Sequence, residues 1–188
     1  MKNNLINMMA LDIYLSAISE NNFNKIYSEI EPNELRLPLM SWDLYSEVNS
    51  KKMNESRRFQ DIIKIKSLAS KFNWQNNMDA IFETEQFEAI IVTDINQKIL
   101  WVNNGFSDMT GFTKTEALAK TPRFLQGSKT STASKQRIRK RLKADLPFKD
   151  VIINHKKNGT PYKCEVKIFP LHNNGNKTHY IALERQVG

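Results

Sequence analysis

The densest chemical promise in this chain lies in seven residues, Thr121-Pro122-Arg123-Phe124-Leu125-Gln126-Gly127. An arginine and a glutamine bracket two apolar residues, and a glycine follows. In a short helix Phe124 and Leu125 pack inward while Arg123 and Gln126 offer N–H donors to a ligand. Thr121 before Pro122 reads as an N-cap followed by a proline at the first helical position, where the missing N–H costs nothing. Gly127 stands where such a helix would end. The same residues also read as a surface turn that happens to hold two apolar side chains, and by themselves they do not choose. Other reactive groupings are sparse. No Ser/His/Asp, Cys/His or metal-ligand constellation stands out, and His155, His172 and His179 fall in or beside expected strands and turns without an evident partner. An enzyme is therefore not expected, and neither catalytic residues nor metal ligands are assigned.

The composition bounds what these residues serve. A chain of 188 residues with 40% hydrophobic content can bury a real core, and six glycines and six prolines are too few for a low-complexity chain. The formal net charge of +8 favours anionic contacts without choosing among nucleic acid, acidic protein, phosphate ligands and anionic lipid. A single cysteine, Cys164, cannot form an internal disulfide, which points to a reducing compartment. Lys2 with Leu5, Ile6, Met8, Met9, Ala10 and Leu11 faintly resembles a signal peptide, but Asp12 interrupts it and no small-residue cleavage site follows. No run approaches the ~18 apolar residues of a membrane span. The expectation is a soluble, cytoplasmic protein.

The elements that must position Arg123 and Gln126 fall into two parts. Residues 1–86 read as a helical extension, a dimerisation or transmitter region. Met8, Leu11, Ile13, Leu15 and Ile18 suggest a first helix, and Pro32 and Pro38 punctuate the chain. Ser41 caps an expected helix holding Trp42, Leu44, Tyr45 and Val48. Asn54-Glu55-Ser56 open another, in which Phe59, Ile62, Ile63, Ile65, Leu68, Ala69 and Phe72 recur near the helical period. A last short helix begins at Asn77. These helices either cover the rest of the protein or mate across a dimer.

From Phe87 the character changes. Ala89–Asp94 and Ile99–Asn103 read as a hairpin, and Phe106–Thr110 as a short helix closed by Gly111. Thr113 or Thr115 caps the next helix. Ser131–Leu146 reads as a helix with a basic outer face of Lys135, Arg137, Arg139, Lys140, Arg141 and Lys143. Ile138 and Leu142 mark its buried side, joined by Ala133 and Ala144. Three strands follow, Phe148–Asn154, Tyr162–Leu171 and His179–Val187, and alternation sets Cys164, Val166 and Ile168 on one face. The sum is an α+β fold: a five-stranded antiparallel sheet with helices on one face, preceded by an all-helical extension, and a cavity between sheet and short helices.

This order, with Val92-Thr93-Asp94, Asn103–Phe106, Met109–Phe112, Arg123–Gly127, Asn154 followed by Lys156–Gly159, and His179–Ile181, resembles a PAS domain over residues 87–187. The Arg-Phe-Leu-Gln-Gly run resembles its LOV branch of flavin-binding light sensors. The resemblance implies FMN as cofactor, with Arg123 and Arg139 on the phosphate, Gln126 near the ribityl chain, and Asn154 at the polar edge of the ring. Bidentate guanidinium contacts suit a phosphate. Three positions depart from the pattern. The photoactive cysteine is replaced by Pro122, which carries no nucleophile, so cysteinyl photoadduct chemistry is excluded there. The second ring-binding asparagine is Cys164, and the final-strand glutamine is Glu184. Three outcomes stay open: FMN without adduct chemistry, another ligand, or a cavity filled by side chains. The functional expectation is a sensory or signal-transduction protein without catalytic output, acting through protein association as a homodimer or with a signalling partner. A constitutive PAS interaction module without cofactor is the alternative. Nucleic-acid binding through the basic helices is a less favoured one, and no membrane partner is expected.

Overall fold

The computed structural model describes residues 40–188. The expected helix around Met8–Ile18 and the punctuation at Pro32 and Pro38 lie outside them. Among the described residues the elements run α1 (Met40–Phe72), α2 (Met78–Glu83), β1 (Ala89–Asp94), β2 (Ile99–Val102), α3 (Asn104–Thr110), α4 (Lys114–Ala117), a 3-10 turn (Pro122–Leu125), α5 (Thr132–Lys143), β3 (Phe148–His155), β4 (Pro161–Asn173) and β5 (Asn176–Gln186). Residues 52–188 form one compact unit.

The two helices expected to start at Ser41 and Asn54 are one, since α1 runs unbroken through both positions. The chain has neither glycine nor proline between Pro38 and Gly105, so nothing interrupts the helical ladder. The helix ends at Asn73, whose φ of 53° is left-handed. Trp74 N–H returns to the Ala69 carbonyl at 2.9 Å, and Asn73 N–H to Ser70 at 3.4 Å, so the last carbonyls are satisfied as in a Schellman cap. Asn77 caps α2 by accepting from Ala80 N–H.

The strands form an antiparallel sheet in the order β2-β1-β5-β4-β3. Strand alternation divides its side chains between two apolar layers. Ala89, Ile91, Tyr162, Cys164 and Val166 meet Phe106, Met109, Ala117 and Leu125 on one face, where α3, α4 and the 3-10 turn lie. Ile90, Val92, Leu171, Ile181 and Leu183 meet Ile65, Trp74, Met78, Ile81 and Phe82 on the other. The α+β architecture matches expectation, with one addition: the extension's helices cover the sheet's second face within the same chain.

Polar contacts fix α1 in place. Arg58 donates to the carbonyls of Phe82 and Glu85 at 2.6 and 2.8 Å and lies over the Phe87 ring. Trp74 Nε1 donates to His179 Nδ1 at 3.0 Å, and burial lowers the pKa of that imidazole, which favours the neutral acceptor form. Asn103 is the tightest junction. Its Oδ1 accepts from Ile90 and Phe106 N–H, capping α3, while its Nδ2 donates to Asp61 of α1 and to the Glu88 carbonyl. Burial raises the Asp61 pKa, opposed by that Asn103 bond.

Helix α5 departs from the sequence reading. It stops at Lys143, not Leu146, because Asp145 turns left-handed (φ 54°). None of its residues is buried: Ala133 and Ala144 are exposed, and Ile138 and Leu142 are only half-buried. What holds it is charge. Arg137 grips Asp150 of β3 through two bonds of 2.6 Å, and Arg141 donates to the Lys149 carbonyl.

The packing of α1 on the sheet is tested by truncating Ile65, which is 0% exposed, beside Phe59 on the same helix, which is 62% exposed. Ile65→Ala is expected to cost about 2–5 kcal/mol by urea denaturation and Phe59→Ala less than about 0.5 kcal/mol. Equal effects would mean that α1 does not lie on the sheet.

Candidate functional site

A cavity of about 140 Å³ opens between the sheet, the 3-10 turn and α5. Its apolar lining comes from alternate strand positions, Ile91, Ile152, Val166, Ile168 and Ala182, closed over by Leu125, Ile138 and Leu142. Five of the six residues singled out in the sequence line it: Arg123, Gln126, Arg139, Asn154 and Glu184. The sixth, Cys164, is fully buried beside the cavity and does not line it.

The 3-10 turn sets the outer edge. Pro122 opens it, but Thr121 makes no capping bond, contrary to expectation, and the turn closes at Gln126 rather than Gly127. Leu125 is buried, and Phe124 meets Phe112 edge to face with ring centroids 4.9 Å apart. Gly127 has a different task. A Cβ there would meet the His155 ring at 2.4 Å, so only glycine lets the turn lie against that imidazole. Thr130 Oγ1 accepts from Gly127 N–H and donates to the Ile153 carbonyl, tying the turn to β3. Of the other histidines, His172 meets Asp145 at 3.2 Å and His179 holds Trp74, so both have the partners that the sequence did not reveal.

The mouth is cationic. Arg123 and Arg139 are exposed and Lys135 is half-buried, all three lining the opening. Among the described residues neither Arg123 nor Arg139 pairs with a carboxylate; Arg123 reaches only Gln97 Oε1, at 3.4 Å. Asp150 of β3 is taken by Arg137, which holds its pKa below the ordinary value against the effect of burial.

The floor is polar and enclosed. Glu184 is 5% exposed, and burial pushes its pKa up to about 7. Its side chain accepts from Cys164 Sγ at 3.6 Å. Burial pushes the Cys164 thiol up as well, and the Glu184 carboxyl adds to it, so this thiol is not a nucleophile. Tyr162, opposite Asn154 in the β3–β4 register, was not recognised in the sequence. Its hydroxyl is raised by burial and then by Glu184 and Cys164. The Asn154 amide works against that shift, yet among the described residues the hydroxyl has no partner in hydrogen-bond geometry. The signal was present: Tyr162 shares the alternation of Cys164 and Val166. Lys135 lies one helical turn before Arg139 and was read only as part of a basic face.

The titration of Glu184 has a stability consequence. The folded chain keeps this proton to about pH 7, whereas the unfolded carboxyl loses it near its ordinary value of 4.5. Between those values the folded state binds more protons, so its stability falls as pH rises, by at most about 3 kcal/mol. Glu184→Gln, which cannot ionise, is expected to gain on the wild type progressively between about pH 4.5 and 7.5 in urea denaturation. A difference constant across that range would mean that Glu184 does not titrate as its burial requires.

Comparison with known proteins agrees with the fold. A family model described as PAS domain matches residues 88–185. A blue-light photoreceptor of Listeria innocua is 32% identical over 101 residues, 52% of this chain and 40% of its own length. A blue-light-activated histidine kinase of Brucella canis is 33% identical over 90 residues, covering 47% and 18%. The LOV domain of the Erythrobacter litoralis EL346 blue-light activated histidine kinase superposes with a TM-score of 0.51 at 23% identity, covering 55% of this chain and 98% of that one. The match spans less than half the length of these two curated relatives. Among the described residues no helix is long and apolar enough to cross a membrane. With more than half of its length matched by the model, and with LOV sensors among its relatives, the chain belongs to the PAS domain family.

Proposed function

We propose that this PAS domain is a sensory module that binds a small ligand between its cationic mouth and its buried polar floor, and signals through association rather than catalysis. One observation carries the reading: a single cavity has Arg123 and Arg139, exposed and paired with no carboxylate among the described residues, at one end and the buried Glu184 and Asn154 at the other. A buried polar group without a good partner costs about 1–3 kcal/mol, and a ligand donor directed at Glu184, to which only the Cys164 thiol donates among the described residues, offsets that cost. Matched blue-light receptors support a sensory role.

The resemblance implies FMN, and the two ends of the cavity answer that differently. Arg123, Arg139 and Lys135 suit a phosphate, with Gln126 beside them. The interior does not suit the ring: about 140 Å³ compares with the ~150 Å³ that holds one benzene ring and lies below the ~300 Å³ at which pockets for drug-sized ligands begin. A three-ring flavin does not fit the cavity at this size. No cysteine chemistry accompanies it either, since Pro122 stands at the turn and Cys164 is a buried, protonated thiol. We therefore favour a smaller ligand with an anionic outer end.

Association is the output this reading assigns, with a second copy or a signalling protein as partner. Helix α1 is the transmitter, because Leu183 of β5 packs in its layer while Glu184, the next residue, faces the cavity.

The test is absorbance and mass analysis of molecules released from freshly purified full-length protein. The expected result is a released small molecule without flavin absorbance near ~450 nm, and weaker retention in Arg139→Ala by about tenfold or more, the loss of a charge-assisted contact. Retained FMN would overturn the size argument. A protein that releases nothing and binds no added anion would leave a constitutive interaction module.

A further inference from the structure

We propose that Glu184 makes this cavity selective for a single-ring zwitterion, with an ammonium or similar N–H donor directed to the floor and a carboxylate or phosphate at the mouth. The proposal rests on the cavity being a ligand site and names the ligand's polarity.

The two ends carry opposite requirements. At the mouth, Arg123, Arg139 and Lys135 form no ion pair among the described residues and call for an anion. At the floor, the only hydrogen-bond donor to the Glu184 side chain among the described residues is the Cys164 thiol, which is weak, and no cation pairs with it. No other side chain donates to it among the described residues. From β4 come Tyr162 and Cys164, both held protonated. From β3 comes the neutral Asn154, and from β1 Ile91. Glu88 acts on Cys164 as a further negative charge. The three mouth cations are the only positive side chains lining the cavity.

This pattern ranks ligands by chemistry. A purely apolar ring leaves Glu184 with no donor beyond the Cys164 thiol. A ligand anionic at its inner end sets like charge against Glu184. A simple cation meets three positive side chains at the entrance. An inner N–H donor with an outer anion satisfies both ends, and the cavity volume allows about one ring. Binding also moves a proton. Pairing with an ammonium requires the Glu184 carboxylate, so the protonated carboxyl gives its proton to solvent as the pair forms. Below about pH 7 one proton leaves per ligand bound, and at higher pH, where Glu184 is already ionised, none does.

The experiment is calorimetric titration of the full chain with 4-(aminomethyl)benzoate and with 4-methylbenzoate, which share ring and carboxylate and differ in the ammonium. Repeating it in buffers of different ionisation enthalpy counts the protons released. The wild type is expected to bind the amino compound at least about tenfold more tightly and to release about one proton near pH 6, falling towards zero by about pH 8.5. Glu184→Gln is expected to bring the two affinities within about threefold and to abolish the proton release. The wild-type proton count needs no variant, so it stands even if the substitution disturbs folding. Equal affinities would overturn the selectivity while leaving the ligand site itself in place. Proton release that persists in Glu184→Gln would overturn the assignment to Glu184. Binding of neither compound would also overturn the selectivity; the released-ligand analysis of the native protein then decides the ligand site separately.

Discussion

A sheet buried on both faces is the constraint from which the rest of this structure follows. Strand β1 is buried at every position from Ala89 to Thr93, and β5 alternates between two apolar layers. Such a sheet cannot stand with one cover. The short helices and the 3-10 turn supply one layer, and the extension's own α1 and α2 supply the other. Their apolar periodicity, from Ile62 to Phe72, is thereby consumed inside the chain.

The two covers are held by different physics. On the outer face, α1 is seated by apolar burial, with Ile65 and Phe82 enclosed. On the inner face, α5 buries none of its residues and is fastened by the Arg137–Asp150 pair and by contacts of Lys177 and Tyr180 with the Leu142 carbonyl. A helix held at its rim by charge does not have to collapse onto the sheet beneath it. That separation is why a cavity exists on this face, and why its mouth is lined by the cations that the ion pairs leave over. The cost falls on the floor, where a carboxyl, a thiol and a phenol share a space with too few donors in hydrogen-bond geometry.

Much of this was legible in the sequence. The strand runs, a threonine cap at Thr113 or Thr115 (Thr113 in the structure) and the inner-face alternation of Cys164, Val166 and Ile168 all follow from local rules, and the structure has them. The convergence of Arg123, Gln126, Arg139, Asn154 and Glu184 on one cavity was carried by family resemblance, since no local rule brings residues sixty apart together. What local rules missed was set by tertiary context. The Ser41 and Asn54 caps are overridden because no glycine or proline separates them. Ala133 and Ala144 look like a buried face until the ion pair, rather than burial, turns out to hold α5. Tyr162 reads as ordinary core until its unpaired hydroxyl is placed against Glu184.

Asn103 shows how unevenly the chain can tolerate variation. Two N–H groups donate to its carbonyl oxygen and both N–H donors of its amide nitrogen are engaged, so one small side chain is used to capacity. Aspartate has the shape without the donors, and glutamine has the donors one methylene too far. Around it, Asn54, Gln60 and Lys156 line an open cleft where most polar residues would serve. Natural drift therefore has more latitude along this cleft than at the junction itself, and a lineage that lost Asn103 would have to rebuild the meeting of α1, β1 and α3 together.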